Sequence, residues 1–292
     1  MSRAWTTIEV PQDRMQLSRF ELKYMINEDL ARHIRDFVRM YLKLDEYGVG
    51  KPNDSYPVHS LYLDSKNLHC YWSTVNSDKN RFKLRVRFYD DNPDAPVFFE
   101  IKRRMNNCIL KERCAARRVS VERILAGFVP EPCDLASQNA RHAFSLQNFV
   151  RLLGQIDARP KVHIAYLREA YVPHDDNSAR LTMDRSVCSQ RQFHTQLNTH
   201  MDKPTLIWGR KVVLELKFTD RCPDWFCELV RVFSLHQCGA AKYVEGITLL
   251  GEPRMGAEPG CPFGAPPDLL DRNGCGFPRV AAQELPTQQR LA

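Results

Sequence analysis

Residues 81–89 place the strongest constraint on the fold, because their sequence RFKLRVRFY alternates strictly between polar and apolar side chains. A period of two is the pattern of a β-strand whose two faces meet different surroundings. The polar face of this strand carries Lys83, Arg85, Arg87 and Tyr89. The strand therefore has one face to bury and one strongly basic face that needs a partner.

Seven further segments alternate in the same way and predict strands. They cover residues 19–24, 58–64, 97–102, 108–119, 162–171, 179–184 and 211–219. Eight strands are enough to close a barrel. Helical patterns lie between them at residues 27–42, 65–76, 120–126, 137–153 and 223–237. The fold class predicted is α+β, an antiparallel eight-stranded β-tunnel or barrel with helices packed outside.

The polar faces of several strands repeat lysine and arginine, with an occasional carboxylate. A solvated face of an ordinary antiparallel sheet is the simpler interpretation of any single strand. If outer helices cover the apolar faces, however, the basic faces line the lumen, where like charges repel unless an anion separates them. Arginine and lysine are the usual phosphate-binding side chains. Carboxylates among them, such as Glu215, suit Mg²⁺ or Mn²⁺. The pattern favours a polyanion whose phosphates lie along the tunnel axis.

Composition agrees with a globular protein that has an anionic partner. The chain has 292 residues, 43% of them hydrophobic, and a net charge of +7. No apolar run approaches the ~20 residues of a membrane span, and the N-terminus lacks the apolar segment of a secretory signal. The ten cysteines form no CxxC pair, which favours reduced thiols and a cytoplasmic location.

Eight motifs in order resemble those of the triphosphate tunnel metalloenzyme (CYTH-like) superfamily, and within it the VTC-type polyphosphate polymerase domain. They are ELKY, SLYLDS, LRVRFY, FEIKRR, YLREAY, RLTMD, LELKF and AKY. The resemblance runs from about residue 18 to 251. It implies a domain at 18–251, between a flexible arm at 1–17 and a Pro/Gly-rich, disordered tail at 252–292.

The resemblance also implies roles for particular residues. Those implied to act on the transferred phosphates are Lys23, Arg85, Arg87, Lys102, Arg168, Arg180, Lys217 and Lys242. Further substrate-binding residues are Lys111, Tyr166, Glu21 and Glu100. Glu215 is implied to be the metal ligand, with Mn²⁺ or Mg²⁺ as cofactor. Ala241 stands where the eukaryotic members have a serine before the last lysine.

The resemblance implies a polymerase that transfers the γ-phosphoryl group of ATP to a growing polyphosphate chain. Its partners are then ATP and inorganic polyphosphate, with no nucleic acid and no membrane insertion; any membrane partner is a separate chain. A metal-dependent tripolyphosphatase of the same fold, with Glu21 or Glu100 orienting water, is an alternative. A non-catalytic module that binds polyphosphate or phospholipid, and a nucleic-acid-binding protein, are two more.

Overall fold

The computed structural model describes residues 20–106, 108–137, 139–174, 178–219 and 221–256. The arm predicted at 1–17 and residues 257–292 of the predicted tail lie outside the described residues. In the described part of the chain, ten strands form one antiparallel sheet. The strands are β1 Phe20–Ile26, β2 Lys43–Leu44, β3 Ser55–Asp64, β4 Asn80–Phe88, β5 Val97–Met105, β6 Cys108–Ala116, β7 Arg159–Val172, β8 Ala179–Arg191, β9 Thr205–Leu206 and β10 Val212–Phe218.

Six α-helices occur in the same described residues. They are α1 Glu28–Val38, α2 His69–Val75, α3 Val121–Leu125, α4 Ala140–Gln155, α5 Asp224–Val232 and α6 Lys242–Leu250. The Asn27 side chain caps α1 by accepting a hydrogen bond from the Leu30 amide at 2.8 Å. Every predicted strand and helix is present, but β2, β9 and α6 were not predicted.

The sheet runs in the order β1-β10-β8-β7-β3-β4-β5-β6, with β2 and β9 as short additions. It curls so that residues from β1, β3–β8 and β10 line one cavity. Among the described residues, no backbone ladder joins β1 to β6. The two sides approach through side chains instead, since Lys102 of β5 lies 3.1 Å from Glu21 of β1. The predicted antiparallel tunnel with outer helices is confirmed.

The outer face of the sheet is apolar and covered by helices. Leu214 of β10 packs in one buried cluster with Ile34 of α1 and Phe226 of α5. Val86 of β4 belongs to a second cluster with residues of α3 and α4, including Phe149. Burying a side chain of this size stabilises a fold by about 1.5–3 kcal/mol. Because these helices take the apolar faces, the basic faces turn inward.

Helix α6 forms part of the tunnel wall. Its first residue is Lys242, and the Tyr243 ring stacks on Tyr62 of β3 with the ring centroids 4.9 Å apart. Gly246 lets α6 approach the sheet, since a Cβ there would lie 2.8 Å from Ile164 Cδ1. A glycine in mid-helix weakens the helical pattern. The same glycine that obscures α6 in the sequence allows its close packing.

Candidate functional site

A cavity of about 1340 Å³ occupies the interior of the curved sheet. Lysine and arginine side chains far outnumber carboxylates in its lining. The sequence-predicted residues that line it are Glu21, Lys23, Arg85, Arg87, Lys102, Lys111, Tyr166, Arg168, Arg180, Glu215, Lys217 and Lys242. Glu100 lies directly beneath them, 1% exposed, in contact with Arg85 and Lys111. The structure therefore brings all thirteen predicted residues together.

Strand register explains how residues distant in sequence become neighbours. Lys23 of β1 lies opposite Glu215 of β10, and Glu21 lies opposite Lys217. In the same way Arg85 of β4 lies opposite Glu100 of β5. Directly opposite side chains of an antiparallel pair share a face, with Cβ atoms about 4.5–5.5 Å apart. Charges of both signs therefore face each other inside the tunnel.

Glu100 is the centre of one buried charge cluster, which we name the Glu100 cluster. Arg85 Nε donates to Glu100 Oε2 at 2.6 Å, and Lys111 Nζ lies 2.8 Å from Oε1. Arg87 and Arg113 approach the same carboxylate at 3.9 and 3.5 Å. Burial opposes ionisation, but these four cations hold the pKa of Glu100 well below its usual range. One carboxylate thus meets four cations, an excess of positive charge that an anion would balance.

Glu215 is the centre of a second group, the Glu215 cluster. Lys217 Nζ donates to Glu215 Oε2 at 2.6 Å, and Lys242 Nζ donates to Oε1 at 3.0 Å. Lys23 and Arg168 lie 3.8 and 3.6 Å from the carboxylate. Burial would raise the pKa of Glu215, but these cations depress it well below the ordinary value. Glu215 is therefore ionised and could accept a metal as well as a lysine.

Tyr166 links the two clusters. Arg87 Nη2 donates to the Tyr166 hydroxyl at 3.1 Å. The Arg168 guanidinium and Lys242 Nζ lie 5.1 and 5.0 Å from the centre of the same ring. Cations within about 6 Å of an aromatic face are attracted to it. The ring therefore keeps three basic side chains close together in the lumen.

Arg180 is held nearer one end of the cavity. Its Nη2 atom donates to Asp45 Oδ2 at 2.6 Å and to the Tyr56 hydroxyl at 3.3 Å. Asp45 follows β2, one of the strands that sequence periodicity missed. A two-residue strand carries too little alternation to be recognised. Arg180 thus lies in the cavity as predicted, but with a partner that the sequence did not indicate.

Several charged residues of the site were not among the predicted ones, and three of them, Asp184, Lys83 and Arg113, belong to the basic wall or contact it. Asp184 of β8 is fully buried and accepts two hydrogen bonds from Arg168, at 2.7 and 2.8 Å. Lys83 and Arg113 line the cavity on β4 and β6. Lys83 shares a strand face with Arg85, and Asp184 shares one with Arg180, because residues an even number apart lie on the same face of a strand. Arg113 shares a face with Lys111 for the same reason.

Three lysines of the lumen, Lys83, Lys111 and Lys217, have pKa values well below that of an ordinary lysine. Burial, together with the neighbouring cations Lys102, Lys23 and Arg81, lowers the pKa of Lys83 to about 7. Burial also lowers the pKa of Lys111 to about 7, although Glu100 opposes the shift. The amines of Lys83 and Lys111 therefore release their protons more readily than an ordinary lysine, whose pKa is about 10.4. A bound polyanion would favour their charged forms.

We expect tripolyphosphate binding to take up protons above pH 7. Since bound phosphate raises the pKa of Lys83 and Lys111, affinity should fall by at least about tenfold between pH 7.5 and 9. Calorimetry in two buffers of different ionisation enthalpy measures the protons taken up. Lys83→Met should remove part of this uptake, with Lys66→Met, on a residue outside the cavity lining, as control. A pH-independent affinity would contradict the expectation.

The carboxylates of the lumen are the candidate ligands for a divalent metal. Among the described residues, no group of three or more His, Cys, Asp or Glu side chains could hold a metal ion. Glu215 and Glu21 nevertheless offer ionised carboxylates to the lumen, on either side of Lys217. Mg²⁺ commonly binds through one or two carboxylates plus substrate phosphates and water. The residues therefore fit a metal shared with a phosphate chain rather than one enclosed by protein.

Comparison with known proteins identifies the family. The VTC domain family matches residues 18–251. The chain belongs to the VTC domain family. The match agrees with the resemblance carried by the eight sequence motifs. Membership in this family supports a polyphosphate-related function for the tunnel.

Solved structures similar to this VTC domain are distant in sequence. A candidate adenylate cyclase from Bacillus halodurans has 12% identity and a TM-score of 0.46, covering 77% of this chain and 94% of its own. Protein PH1819 from Pyrococcus horikoshii has 12% identity and a TM-score of 0.38, covering 79% and 98%. No curated protein sequence matches the chain. Within the described residues, no helix combines the length and apolar character required to cross a bilayer.

Proposed function

We propose that this VTC domain is a polyphosphate polymerase, which transfers the γ-phosphoryl group of ATP to the end of a polyphosphate chain inside the tunnel. The observation that carries the proposal is the excess of cations in the lining of the cavity inside the curved sheet. Buried cations are unfavourable unless an opposing charge accompanies them. A chain of phosphates supplies that charge along the whole length of the tunnel.

The two charge clusters would act on different parts of the reacting chain. In the transfer, an oxygen of the terminal phosphate attacks the γ-phosphorus, and the bond to the β-phosphate oxygen of ATP breaks to release ADP. Arg85 and Arg87 offer guanidinium donors suited to phosphate oxygens. Lys242 and Lys217 would lie near the transferred group, since both contact Glu215. Positioning and charge stabilisation are the main contributions of a protein to such a transfer.

Glu215, with Glu21 beside it, would hold a divalent metal shared with the phosphates. When bound, Mg²⁺ or Mn²⁺ would neutralise charge on the phosphate oxygens. The chain's own acid–base chemistry is limited, because the attacking phosphate oxygen is already anionic. Glu21 and Glu100, which could orient water in a hydrolase, have pKa values well below the usual range despite burial. Both are therefore weak bases, which favours the polymerase over the tripolyphosphatase.

The test is product analysis with the purified full chain. ATP is supplied with Mn²⁺ or Mg²⁺, and ADP, free phosphate and long-chain polyphosphate are quantified separately, with EDTA as the metal-free control. We expect ADP and polyphosphate in equal phosphoryl amounts, and neither product in EDTA.

Other products would assign another function. Free phosphate without polymer, above all from tripolyphosphate, would identify a hydrolase. Tight polyphosphate binding with no turnover would leave a binding module. Equal activity in EDTA would contradict the proposed role of the metal.

A further inference from the structure

The two mouths of the tunnel differ in chemistry. Strand β4 runs from Asn80 to Phe88. Near its start Arg81 lies opposite Arg104 of β5, and Tyr89 follows its last residue. The eight residue-to-residue steps from Arg81 to Tyr89 span about 26 Å at 3.3 Å per step. We name the end lined by Arg81, Arg103 and Arg104 the basic mouth. The opposite end, lined by Tyr47, Tyr56, Tyr89 and Phe98, is the aromatic mouth.

The rings of the aromatic mouth form a continuous row. The centroids of Tyr47 and Tyr56 are 6.0 Å apart, and those of Tyr56 and Tyr89 are 6.4 Å apart. Tyr89 lies 5.9 Å from Phe98, whose face is covered by Arg113 at 3.6 Å. Tyr56 and Phe98 are buried, whereas Tyr47 at the outer end of the row is 42% exposed. The row thus presents one accessible ring at the tunnel entrance.

The segment that carries Tyr47 is held firmly against the sheet. The Asp45 amide donates to the Ala170 carbonyl of β7 at 2.8 Å, and the Asp45 carboxylate binds both Arg180 and the Tyr47 amide. Gly48 follows, where an added Cβ would lie 2.6 Å from the Asp54 carbonyl oxygen. A backbone segment held in this way loses little entropy when its side chains bind a ligand. The exposed Tyr47 ring is therefore a preorganised surface.

Phosphate recognition does not explain an exposed aromatic ring at this mouth. Val49, 63% exposed, extends the apolar surface beside Tyr47 in the cavity lining. Nucleobases stack on aromatic rings through their faces, independently of the base edge. A nucleotide also carries a base at one end of a phosphate chain, which matches an aromatic surface beside a row of cations.

We infer that the aromatic mouth binds the base of the nucleotide, with Tyr47 as its stacking surface. The inference rests on the proposed function, because the triphosphate must enter the cation-lined lumen. It orients the substrate: the γ-phosphate points inward and the polyphosphate extends towards the basic mouth. Stacking depends on the face of the base and not on its edge. The larger purine rings therefore bind more tightly than pyrimidines, and adenine and guanine are scarcely distinguished.

The test measures the contribution of the base to binding separately from that of the phosphates. Binding of ATP and of inorganic tripolyphosphate is measured by calorimetry in EDTA, so that no turnover occurs, with the full chain and its variants. Tyr47→Ala should weaken ATP binding by about 5- to 150-fold, the range for loss of one stacked base. Tripolyphosphate binding should stay unchanged. Tyr47→Phe should bind ATP as the unaltered chain does, and Phe144→Ala removes an exposed ring of α4 as the matched control.

Three results would overturn the inference, and they are distinguishable from one another. Equal losses of ATP and tripolyphosphate affinity in Tyr47→Ala would mean that Tyr47 supports the phosphate-binding wall. No loss for either ligand would place the base elsewhere or leave it unbound. Failure of the unaltered chain to bind tripolyphosphate would overturn the proposed function itself, and this inference with it.

Discussion

Glu215→Gln is expected to reduce polymerase turnover by about 10²–10³-fold while polyphosphate binding is kept or becomes tighter. The two effects separate because Glu215 has two roles. As the proposed metal ligand it is needed for turnover. As a carboxylate within reach of Lys217, Lys242, Lys23 and Arg168 it competes with substrate phosphates for the same cations. The neutral amide removes the metal ligand and the competition together.

Initial rates and tripolyphosphate affinity, measured side by side, check this prediction for Glu215. Glu112→Gln is the matched control, because Glu112 of β6 lies outside the cavity lining and binds Asn148 at 2.7 and 2.8 Å. The control variant should keep its rate and its affinity. A parallel loss of binding and turnover in Glu215→Gln would make Glu215 a structural residue, and an unchanged rate would rule out its role as metal ligand.

Glu100→Gln is expected to lower the free energy of unfolding by about 3–5 kcal/mol, the usual cost of removing one partner from a buried ion pair. For a domain of this size the loss lowers the melting temperature by roughly 6–20 °C. The physical reason is that Arg85, Lys111 and their neighbours lose the carboxylate that balances them. Tripolyphosphate should restore more stability to this variant than to the unaltered chain, because it supplies the missing negative charge.

Thermal unfolding with and without tripolyphosphate measures this effect, again with Glu112→Gln as control. Acid provides an independent check of the sign. Because the folded-state pKa of Glu100 is depressed, its contribution is fully present above the unfolded value near 4.3 and is lost as pH falls further. The difference in melting temperature should therefore shrink between pH 5 and pH 3. A constant difference would contradict an electrostatic origin.

Sequence patterns within single segments predicted much of the fold and of the candidate site. Alternation in residues 81–89 placed Arg85 and Arg87 on one face, and that periodicity follows from strand geometry alone. The same rule placed Glu215 with Lys217 and Glu21 with Lys23. Every predicted site residue lies in or directly beneath the lining of one cavity because alternation is a property of each strand separately. It holds whichever strand becomes the neighbour.

Pairing between strands could not be read from any one of them. Four cations converge on Glu100, and Arg168 binds Asp184. Both arrangements depend on the strand register and on the curvature of the sheet. Helix α6 and the segment around Asp45 carry signals too weak or too short for periodicity, so Tyr47 and the difference between the two mouths went unpredicted. The strands determine which residues face the lumen, but only the tertiary arrangement determines what each charge meets, because Coulomb energies depend on distances between distant parts of the chain.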